Sequence, residues 1–129
     1  MVEKLVFVSI VHRHKNSETN VLLLIESIRR FGGSLAHTPI WVFTPDKPEK
    51  LSPKLTSRLN ELNVTLIPYK TELAVRKFFF APEIKALALA ETRAIEQTDL
   101  LAWLDSNTLV LKEPSNCLLP DEQSLGYRP

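Results

Sequence analysis

Two stretches, Leu5-Val6-Phe7-Val8-Ser9-Ile10-Val11 and Leu100-Leu101-Ala102-Trp103-Leu104, are nearly uninterrupted apolar runs, and they narrow the fold more than anything else in the chain. A strand with one wet face alternates apolar and polar residues. A run without that alternation suits a strand covered on both faces, as in a parallel sheet between layers of helices. Both runs are expected to be interior strands.

The residues between them alternate in period. After Asn16 or Ser17, either of which can cap a helix, Glu18 complements the positive end of the dipole, and Val21, Leu24, Ile25, Ile28 and Phe31 recur at helical spacing until Gly32 and Gly33 end it. Ile40-Trp41-Val42-Phe43-Thr44 predicts a second strand, stopped by Pro45. Leu55, Leu59 and Leu62 mark a short amphipathic helix, and Val64-Thr65-Leu66-Ile67 a third strand closed by Pro68. Residues 71–80 fit either a loop or an irregular helix. From Glu83 to Gln97, behind Pro82, runs an Ala- and Leu-rich helix small enough in side-chain volume to pack closely on a sheet. This strand–helix alternation predicts an α/β fold of three layers, α/β/α, around a mostly parallel sheet. Residues 1–114 form the expected domain. Residues 115–129 read as an irregular tail, truncated before a C-terminal acceptor-binding half.

Composition removes several function classes. The 129 residues suit one domain. Lys and Arg number 16 against 15 Asp and Glu, a net charge of +1, so no global field would gather nucleic acid, which is not expected as a partner. Cys117 is the sole cysteine, and no signal-peptide core precedes the first strand, which points to a reducing, cytoplasmic setting. No apolar run reaches the roughly 20 residues of a membrane span, so no integral membrane segment is expected.

Parallel sheets bind ligands beyond the carboxyl ends of their strands. That edge gathers residues 11–15 with the basic cluster His12-Arg13-His14-Lys15, then Thr44, Tyr69 and Asp105-Ser106-Asn107. A basic cluster and a carboxylate on one rim suit an anionic ligand held partly by a cation. With only three glycines, neither a dinucleotide fingerprint nor a phosphate loop can be assembled. Phosphates would need another grip, such as a divalent cation on the oxygens of Asp105 and Asn107.

Leu100 to Pro114, LLAWLDSNTLVLKEP, resembles the strand-DxD-strand segment of GT-A fold nucleotide-diphospho-sugar transferases, particularly the retaining glycogenin-like and galactosyltransferase-like group. Ala81 to Glu91, APEIKALALAE, is similar to the helix leading into that motif, and the order of elements matches across residues 5–114. The resemblance implies a nucleotide-sugar donor as ligand, with Asp105 reaching ribose and metal. Asn107 would coordinate Mn2+ or Mg2+ bridging the diphosphate, Lys85 would touch the donor sugar or phosphates, and Val11, His12 and Arg13 would hold base and ribose. It assigns no catalytic residue, and transfer would require the C-terminal half. Asn107 departs from the pattern, because an amide oxygen ligates a hard cation without a carboxylate's charge.

Plainer readings stand beside these. Asp105-Ser106-Asn107 is also ordinary turn chemistry, and Lys85 also fits a solvated helix face. His12 and His14 lack a third zinc ligand at suitable spacing. Trp41 and Phe78-Phe79-Phe80 fit a core better than a base-stacking platform. Cys117 carries no nucleophile signal. Two other functions compete with sugar transfer. Asn107 suggests a non-catalytic GT-A-like binding or assembly domain, and an Asp at a strand end also opens Asp-dependent phosphohydrolases.

Overall fold

The computed structural model describes residues 3–12, 16–45, 51–69 and 81–120. Its elements are β1 (Glu3–Ile10), α1 (Ser17–Phe31), β2 (Ile40–Pro45), α2 (Pro53–Glu61), β3 (Val64–Tyr69), α3 (Ala81–Ala94) and β4 (Thr98–Trp103), with short 3-10 turns at Gly33–Leu35 and Ser115–Cys117. The four strands form one sheet in the order β3-β2-β1-β4, and every neighbouring pair is parallel.

Side-chain alternation along β1 divides the core in two. Leu5, Phe7 and Val11 pack with Val21, Leu24, Ile25 and Ile28 of α1 and with Leu55 and Leu59 of α2. Val6, Val8 and Ile10 point the other way, against Ala86 and Ala90 of α3. Two helices thus cover one face and one helix the other, the three-layer α/β/α arrangement. The alanines let α3 lie close to the sheet.

β4 departs from expectation. It stands at the sheet's edge among the described residues, and its apolar side chains are half-buried. An apolar run specifies a covered strand only when a neighbour and two helical layers reach it; here α3 supplies one cover and the chain beyond Leu104 part of the other. Thr108 to Leu111, the second short apolar run, belongs to no strand or helix. Val110 is buried, and its N–H donates to Ser27 Oγ at 2.8 Å, while Leu109 and Leu111 are exposed. Phe31 is likewise exposed on the last turn of α1, under the Arg30 guanidinium. Residues 71–80 lie outside the described residues.

Helix ends follow local chemistry. Ser52 caps α2 by accepting from Leu55 N, with Pro53 just inside. At α1 the N-cap residue Asn16 makes no side-chain cap bond, and Ser17 Oγ instead accepts from His12 N at 2.7 Å. Glu18 reaches across to accept from Ser52 N. Beyond α1, Gly33 has φ +62°, and a Cβ there would meet Glu113 Cβ at 2.9 Å. Gly33→Ala should therefore cost about 1–2 kcal/mol, from backbone strain and crowding together, read as a lower urea midpoint at unchanged slope.

The described part of the tail is attached to the body. Cys117 and Leu118 pack against the α1 and α2 face. Burial pushes the Cys117 thiol up from its ordinary pKa. At pH 8 less of it is thiolate than for an exposed cysteine, so alkylation should be slower in the folded chain and return to the ordinary rate in urea.

Candidate functional site

The strand order reverses between β1 and β4: the chain steps outward from β1 through β2 to β3, then returns to the other side of β1. In open parallel sheets the crevice beyond the carboxyl ends at such a reversal is the common ligand site. The loops that leave β1 and β4 there carry His12 on one side and Asp105-Ser106-Asn107 on the other.

Side-chain bonds brace this crevice on both faces of the sheet. On the α3 face, His12 Nε2 lies 3.0 Å from Glu83 Oε1 in the first turn of that helix. On the α1 face, Asn20 Nδ2 donates to Asn107 Oδ1 at 2.9 Å. The backbone is equally constrained. Val11 N donates to Phe43 O and Leu104 N to Val8 O, so both chains stay in sheet register almost to the turn.

The Asp105 turn is built as turn chemistry predicts. Asp105 Oδ1 accepts from Asn107 N at 2.9 Å, and its carbonyl accepts from Thr108 N. Asp105 and Asn107 are exposed, while Ser106 between them is buried. Among the described residues the only buried side-chain oxygens without a partner are Ser9 Oγ, Thr44 Oγ1 and Glu83 Oε2. Ser9 and Thr44 lie near the carboxyl ends of β1 and β2, and Glu83 in the first turn of α3. Unpartnered buried oxygens are uncommon in folded chains, and here the polar groups concentrate toward one end of the sheet.

The expected site residues fare unequally. His12 lies on the loop after β1, and Asp105 and Asn107 on the turn after β4, at the two sides of the crevice. Val11 does not offer its side chain, which is buried in the core. Lys85 is exposed two residues beyond Glu83, which fits the solvated-face reading. Arg13, with His14 and Lys15, lies outside the described residues, as do Phe78, Phe79 and Phe80. Trp41 is a core residue under the Arg93 guanidinium, and Tyr69 is buried edge-on to Phe43.

For Mn2+ or Mg2+ the donor set is of the right kind but thin. Asp105 supplies one hard carboxylate, and Asn107 an amide oxygen already engaged by Asn20. No group of three or more His, Cys, Asp or Glu side chains suited to a metal occurs among the described residues. A cation held here would need ligand phosphates to complete its shell.

Sequence reasoning missed Glu83 and Asn20. An acidic residue in the first turn of a helix reads as dipole complementation, and Asn20 has no local signal. Only the topology, which brings the N-termini of α1 and α3 to one sheet edge, makes them partners of the two loops. Among the described residues, no helix is long and apolar enough to cross a membrane. No family model matches the chain, and no curated protein is found to be related to it.

Proposed function

We propose that this chain is the nucleotide-sugar-binding domain of a glycosyltransferase-like protein, holding a nucleotide-diphosphate sugar in the crevice between β1 and β4. One observation carries the reading: His12 and the Asp105 turn flank the reversal point of an all-parallel sheet, each braced by a helix that begins at that edge. Asp105 meets ribose hydroxyls or a phosphate-bound Mn2+ or Mg2+. His12, set by Glu83, meets the nucleoside or its phosphates, and Lys85 reaches in from its exposed position when an anion is present. Sugar transfer requires an acceptor-binding half. The chain by itself binds in a reducing, cytoplasmic setting.

The bond from Asn20 to Asn107 favours a second reading, a GT-A-like domain that binds without catalysing. A hydrogen-bond donor satisfies an amide oxygen at the position where a carboxylate would hold a metal. Phosphate hydrolysis through Asp105 has less support, because one of its oxygens is already committed to the turn.

Thermal melts with uridine- and guanosine-diphosphate sugars, with and without Mn2+, test the proposal. A ligand at about a hundred times its Kd should add about 2.7 kcal/mol of stability, and Asp105→Asn should remove that gain without lowering the melting point of the free protein. If no nucleotide sugar shifts the melt, the donor-binding reading fails. If Asn107→Asp leaves affinity unchanged when Mn2+ is present, the metal-free binding reading is preferred.

A further inference from the structure

We draw no further inference here: the strongest candidate, the pair of buried, unpartnered hydroxyls of Ser9 and Thr44 near the carboxyl ends of β1 and β2, belongs to the sheet edge already described, and both oxygens are sealed in the core, out of a ligand's reach.

Discussion

Phe43→Ala is expected to cost about 3–5 kcal/mol, a large share of the 5–15 kcal/mol that holds a typical domain folded. Phe43 is fully buried on the α3 face of β2, with the Tyr69 ring edge-on at 6.3 Å. Truncation removes apolar transfer energy and an edge-to-face ring contact, and it leaves a cavity between β2, β3 and α3. Position adds to the effect. The Phe43 carbonyl accepts from Val11 N, the last sheet bond before His12, so movement of β2 loosens the backbone that sets the crevice. Phe43→Leu should cost under half as much, since most of the volume is kept. Urea unfolding measures both variants. A loss below about 1 kcal/mol for the alanine variant would mean that the core beside Tyr69 closes over the gap.

Where local pattern and global layering agree, the fold was legible in the sequence. β1 is apolar without a break from Leu5 to Val8 because helices cover it on both faces, and Val21, Leu24, Ile25 and Ile28 mark the buried stripe of α1 as their spacing predicts. β4 is the instructive miss. Its residues are as apolar as those of β1, yet strand order within a sheet depends on how later chain returns to it, and no residue of β4 encodes that. The same incompleteness leaves Leu101 and Trp103 half-buried, with their backbone groups turned outward. Phe31 was drawn into the apolar face by spacing alone. It is the last residue of the helix and exposed, with the Arg30 guanidinium over its ring.

The candidate site was half legible. The Asp105 turn announces itself, because Asp, Ser and Asn in a row after an apolar run end a strand and bond their own backbone. His12 is visible as a polar residue directly after β1. Their partners are not visible, since Asn20 and Glu83 become neighbours of these loops only through long-range pairing. Val11 shows the opposite failure, in which a residue placed correctly at the strand end spends its side chain on the core. An edge position says which loop a residue belongs to, and strand parity decides whether it faces ligand or protein.

At the opposite end of the sheet, Arg29→Leu should destabilise the chain by about 2–4 kcal/mol while leaving the crevice's chemistry untouched. Arg29 donates to the carbonyls of Ala36 and Thr38 at 3.0 and 2.6 Å, and to that of Leu62 at 2.9 Å. It thereby ties the turn before β2 to the turn before β3. Half-burial lowers its pKa from the ordinary arginine value, which records the cost of taking the charge out of water. Those carbonyls sit where no helix or strand can pair them, so an apolar side chain of similar length leaves several acceptors dry, each worth about 1–3 kcal/mol before water re-enters. Arg29→Lys should recover only part of the loss, because one ammonium cannot span the fork that reaches both turns. The contrast with Phe43 separates fold from site. Arg29→Leu should lower the urea midpoint yet leave any nucleotide-sugar affinity of the folded fraction unchanged, whereas Phe43→Ala should weaken both. An affinity that falls in step with stability for Arg29→Leu would mean the two ends of the sheet are coupled, and that the crevice is set by the whole sheet rather than by its two bracing bonds.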